Sequence, residues 1–121
     1  MPKILIIDDE EQIRLVFKEM LGRFGYEVLE ATNGEDGLAL QREKIADLII
    51  TDIIMPVKEG LETIRELRRE FPEVNIIAIS GGGQIGSNQY LNTAKQLGAA
   101  CTLQKPVGLD QLRQEVHRLL K

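Results

Sequence analysis

Five short apolar runs, each followed by a stretch of helical period, constrain this chain more than any other feature. The runs cover residues 4–7, 28–29, 48–50, 76–79 and 100–103. After the first come Ile13, Val16, Phe17, Met20, Leu21 and Phe24, spaced i, i+3, i+4, i+7, with Gln12, Arg14, Lys18 and Glu19 at outward positions. That spacing predicts an amphipathic helix with one core face, ended by Gly22 and Gly25. Asn33-Gly34 opens a second, less regular helix. Leu61, Ile64, Leu67 and Phe71 stripe a third, which Pro72 stops. A fourth runs from about Ser87 to Leu97 with a weak apolar face (Tyr90, Leu91, Ala94, Leu97) and Gly98 as C-cap, and Leu109, Leu112, Val116, Leu119 and Leu120 stripe the last. Strands separated by helices pair in parallel and are buried on both faces, hence continuously apolar runs. Right-handed crossovers put the helices on both sides. The expectation is an α/β fold: one doubly wound, five-stranded parallel sheet with five helices, a single domain over residues 1–121 with no second or output domain among them.

Composition narrows the function classes. A chain of 121 residues supports one core, and 43% hydrophobic with 28% charged residues is ordinary for a globular protein. A net charge of -4 argues against direct nucleic-acid binding, which needs a basic face. The lone Cys101 cannot form an internal disulfide. No apolar stretch approaches the ~20 residues of a membrane span, and no signal peptide is evident. A cytoplasmic location without membrane attachment is the expectation.

Ligands of open parallel sheets bind at the carboxyl ends of the strands. Just past the runs stand Asp8 and Asp9, then Asp52, Ser80 and Lys105. Three neighbouring carboxylates cannot all stay ionised without a cation. Oxygen donors suit Mg²⁺, whereas one His and one Cys make no case for Zn²⁺. Asp8 and Asp9 are therefore candidate Mg²⁺ ligands. A metal beside a further carboxylate, a hydroxyl and an ammonium suits phosphoryl chemistry, with Asp52 as nucleophile and Lys105 and Ser80 on the equatorial oxygens.

The stretches "ILIIDDEE", "DLIITDIIMP", "IIAIS" and "LQKP" closely resemble, in order and spacing over nearly the whole chain, the receiver domains of two-component response regulators. The resemblance implies a flavodoxin-like fold with strand order 2-1-3-4-5. It implies that Asp52 accepts a phosphoryl group from the phosphohistidine of a sensor histidine kinase or phosphotransfer protein. Asp9, Asp52 and the backbone carbonyl of Ile54 would bind Mg²⁺ directly and Asp8 through water. Ser80 and Lys105 would contact the phosphoryl group, Lys105-Pro106 would be cis, and Gly60 matches the family's glycine after the "MP" turn. A regulatory phosphoacceptor of this kind catalyses only its own phosphorylation and dephosphorylation. Its signal would leave through the face of the fourth helix, fifth strand and fifth helix, toward a downstream protein or a second copy of the chain.

Several residues depart from the family pattern. Thr102 replaces the usual aromatic three residues before the lysine, and Lys58 adds a positive charge after Pro56. Neither Ile54 nor Gly82 can orient an attacking water, so slow self-dephosphorylation is expected. A pseudo-receiver, an adaptor that binds partners without phosphoryl chemistry, is the alternative, and Thr102 is its best support. A flavin or nucleotide module would need a phosphate loop where this chain has acids, and "DDEE" lacks the D-x-D of a dehalogenase-type phosphatase. Gly81, Gly83 and Gly86 form a literal G-x-G-x-x-G, read as a flexible loop because no ribose-binding acid follows. Glu10 and Glu11 are read as helix N-terminal acids favoured by the macrodipole. His117 is expected at the surface and Cys101 as a small core residue.

Overall fold

The computed structural model describes residues 2–53, 60–80 and 87–120, the side chains of 87–91 excepted. Strand and helix alternate along the chain: β1 (Lys3–Ile7), α1 (Glu11–Arg23), β2 (Glu27–Ala31), α2 (Gly34–Lys44), β3 (Leu48–Asp52), α3 (Gly60–Glu70), β4 (Asn75–Ser80), α4 (Ser87–Leu97), β5 (Cys101–Gln104) and α5 (Leu109–Leu119). The sheet order is β2-β1-β3-β4-β5, every pair parallel, as the resemblance implied.

Successive strand residues face opposite sides, so each apolar run feeds two cores. Ile4, Ile6, Leu48, Ile50, Ile77, Ile79 and Leu103 pack under Phe17 and Leu21 of α1 and Leu112 and Val116 of α5. Leu5, Ile7, Ile49, Ile76 and Ala78 pack under Leu38 of α2, Ile64 and Leu67 of α3 and Ala94 of α4. Each fully buried aliphatic side chain contributes about 1.5–3 kcal/mol by leaving water. Among the described residues no helix is long and apolar enough to cross a membrane.

The helix ends have local causes. Asn33 caps α2 by accepting from the Asp36 amide at 2.8 Å. Where α2 stops, the buried Gln41 side chain bonds the Ala46 carbonyl and amide at 3.1 and 2.8 Å, leaving no buried amide atom unpaired. At the end of α4, the Arg68 guanidinium bonds the Gly98 carbonyl at 2.8 Å and ties α3 to the β5 approach. The apolar face of α1 is narrower than its spacing predicts. Val16 and Phe24 are 44% and 56% exposed, because only α5 and the sheet lie under this helix. The Phe24 ring instead carries the Arg113 guanidinium 5.2 Å from its centroid. His117 is exposed as expected. Cys101 is half-buried rather than core, and its thiol, hydrogen-bonded to Glu115, is pushed up to about 12 by burial first and that acid second. Tyr90 and the glycine-rich loop lie outside the residues whose side chains or path are described.

Two glycines give opposite expectations for one substitution. A Cβ on Gly60 would collide with the Asp52 carbonyl oxygen and the Ile53 Cα, whereas a Cβ on Gly22 meets nothing within 4 Å. Gly60→Ala is predicted to lower stability by about 1–3 kcal/mol through displaced backbone. Gly22→Ala is predicted to raise it by roughly 0.5–1 kcal/mol, since alanine restricts the unfolded chain and favours helix. Urea unfolding of both variants checks the pair of signs.

Candidate functional site

Register explains which polar residues meet. Ile6 pairs with Ile50 and Ile7 with Thr51, so the same rung, carried two residues beyond Ile6 and Ile50, brings Asp8 beside Asp52 on the α1/α5 face. Lys105 lies two residues beyond Leu103, which faces the same side. Asp9 has the opposite parity. Asp8 and Asp52 are buried, and Asp9 is exposed.

The Lys105 ammonium sits among three carboxylates. Its Nζ is 2.9 Å from Glu10 Oε1, 3.1 Å from Asp52 Oδ2 and 3.5 Å from Asp8 Oδ2. One carboxylate oxygen from each of Asp8, Glu10 and Asp52 lies within 4.8 Å of the other two. The structure thus brings Asp8, Asp52 and Lys105 together with Glu10, and leaves Asp9 outside this cluster. Such a set of hard oxygen donors fits a divalent cation of the Mg²⁺ type. Ser80 ends β4, one residue beyond the partner of Asp52. Its hydroxyl is fully buried with no hydrogen-bond partner among the described residues, while its carbonyl accepts from the Lys105 amide at 2.7 Å. A buried unpaired hydroxyl is costly, which points to a ligand that completes it. The Lys105-Pro106 bond is cis. Ile54, Lys58 and Gly82 lie outside the described residues.

The electrostatics follow from burial. The Asp8 carboxyl is pushed up to about 6, first by burial; the Glu10 amide bond pulls it down and the Asp52 charge pushes it up again. Burial works against the Lys105 ammonium, but the Glu10 hydrogen bond and the charges of Asp52 and Asp8 outweigh it and raise its pKa.

Two contributors are not marked by the sequence. Glu10 is spaced like any helix-dipole acid, and nothing distinguishes it further. The helical period places Arg14 outward, yet its side chain is only 12% exposed. It donates to the Asp8 carbonyl at 2.7 Å and pairs with Glu30 at 3.3 Å, bracing the β1–α1 turn from β2. The available signal was Glu30, which pairs with Ile6 and so faces α1.

With this geometry the class of the protein is defined on three grounds: the sheet order, the acid cluster and the lysine. The family model for the response regulator receiver domain matches residues 4–117, and the chain belongs to that family. It is 33% identical over 119 residues to the probable transcriptional regulator ycf27 of Porphyra purpurea, covering 98% of this chain and 47% of that protein. It is 28% identical over 118 residues to sporulation initiation phosphotransferase F of Bacillus subtilis, covering 98% of this chain and 93% of that one. The receiver domain protein of Clostridium thermocellum superposes with a TM-score of 0.90 at 32% identity, covering 98% of this chain and 94% of that one. The chain spans about half the length of several curated relatives it matches.

The raised Asp8 carboxyl has a pH consequence. A folded-state pKa above the ordinary 3.8 means that the folded protein holds the proton more tightly than the unfolded chain. Its contribution is fully present below about 3.8 and is lost as pH rises through about 6. In chelator, Asp8→Asn is therefore predicted to remove a stability decline on the order of 2 kcal/mol across that window. Urea midpoints of both proteins from pH 4 to 7 test this; parallel curves would refute it.

Proposed function

We propose that residues 1–121 act as one phosphorylation-controlled signalling switch in which Asp52 is the phosphoacceptor. The observation that carries this reading is Lys105 Nζ at 3.1 Å from Asp52 Oδ2, on a rim that also holds the unpaired Ser80 hydroxyl. An Asp52 oxygen attacks the phosphorus of a phosphohistidine on a sensor histidine kinase or phosphotransfer protein. The O–P bond forms as the N–P bond breaks, and its electron pair stays on the imidazole nitrogen. Lys105 then donates to a phosphoryl oxygen, and the Ser80 hydroxyl donates to another. Asp8, Asp9, Asp52 and the Ile54 carbonyl are the groups that would hold a Mg²⁺ ion, which would supply charge neutralisation at the transferring group.

The domain regulates rather than turning over an external metabolite. Thr102 is half-buried on β5 opposite Ala78 and has no ring to rotate. The signal leaves by the α4–β5–α5 face to a downstream protein or a second copy of the chain. Intact mass spectrometry after incubation with acetyl phosphate and Mg²⁺ should show one added phosphoryl group. Asp52→Asn, or chelator, should show none. An unmodified wild-type protein, or modification that survives in Asp52→Asn, would refute the proposal.

A further inference from the structure

We propose that Glu10 is a positioning residue for Lys105 and competes with the phosphoryl group for the same ammonium, so that it opposes the phosphorylated state. This rests on Asp52 being the phosphoacceptor.

Glu10 stands at the start of α1 and reaches across to Lys105. It occupies the N-cap position of α1 with extended backbone, φ −88° and ψ 113°, yet its side chain makes no capping hydrogen bond. The usual caps are the shorter Ser, Thr, Asp and Asn side chains, and the longer Glu10 side chain is free to reach past the helix end. Here the carboxylate is turned to Lys105 instead, and at 2.9 Å it makes the shortest of the three contacts to Nζ. The backbone fixes this reach from both sides. The Glu10 amide donates to Asp8 Oδ1 at 2.9 Å, and its carbonyl accepts from the Arg14 amide at 3.2 Å.

An ammonium has three donors, and three carboxylates engage it. A phosphoryl group on Asp52 brings new acceptor oxygens, so one resting partner has to yield. Asp52 carries the group itself, and Asp8 is 2% exposed, where solvent is poorly placed to replace the lysine. The Glu10 side chain is 58% exposed and open to solvent, whereas Lys105 itself is only 17% exposed. Glu10 is thus the partner that releases. A contact made in the resting state and lost in the phosphorylated one weakens phosphoryl retention by linkage. Removing the Glu10 charge also removes repulsion of the incoming dianion.

The test uses fluoroberyllate with Mg²⁺ as a phosphoryl mimic, its affinity read by fluorine NMR in wild type, Glu10→Gln, Lys105→Met and the double variant. Glu10→Gln should tighten binding about threefold to tenfold, a range reduced by solvent because the pair is half exposed. The gain should shrink to under about twofold on the Lys105→Met background. The Lys105 ammonium resonance supplies a second readout should Lys105→Met fail to fold or to bind. Glu10→Gln should shift that resonance in the unliganded protein and leave it unchanged in the fluoroberyllate complex. Equal gains in both backgrounds, no gain, or an unaffected resting resonance would overturn the inference while leaving the phosphoacceptor reading intact. Wild-type protein that binds no fluoroberyllate at all would remove the phosphoacceptor reading, and this inference with it.

Discussion

Two like charges held side by side by strand register are the constraint around which the rest of the molecule is arranged. Asp8 and Asp52 follow adjacent parallel strands on the same face, and both are shielded from water. The β1–β3 pairing anchors both, Asp8 one residue past its last rung and Asp52 at the end of β3. Their repulsion demands a cation at that spot, and Lys105 provides one. The lysine is delivered by β5 through β4, so the whole width of the sheet from β1 to β5 is needed to assemble a site a few ångströms across.

The surrounding structure stiffens this arrangement. Gly60 lies so close to the Asp52 and Ile53 backbone that no side chain fits there, and its amide donates to the Ile53 carbonyl at 2.6 Å. On the other flank, Arg14 and Glu30 fasten the β1–α1 turn to the edge strand. Packed backbone on one side and a charged brace on the other leave little freedom for the carboxylates. The adjustable groups are the Lys105 ammonium and the half-exposed Glu10 carboxylate, which is where a switch between two states has room to work.

Much of this was legible in the residues alone. Continuous apolar runs separated by helical stripes specify a parallel sheet, and the carboxyl-end rule then picks out Asp8, Asp9, Asp52, Ser80 and Lys105. What remained hidden depends on side-chain direction beyond the regular elements. Period two separates Asp8 from Asp9, but a doublet of aspartates at a strand end does not announce which one turns inward. Glu10 looks like any acid at a helix start, and its contact emerges only once Lys105, 95 residues away, is folded against it. The exposed Val16 and Phe24 show the converse, an apolar stripe wider than the surface available to cover it.

The central claim is that the Lys105 ammonium and a divalent cation would share one seat beside Asp8 and Asp52. Calorimetric titration of Mg²⁺ into wild-type and Lys105→Met protein at pH 7 tests it most directly. Removing the ammonium should tighten Mg²⁺ binding by about tenfold, the order of effect a neighbouring like charge exerts at a partly buried site. Equal affinity in the two proteins, or weaker binding by Lys105→Met, would mean that lysine and metal do not share the seat.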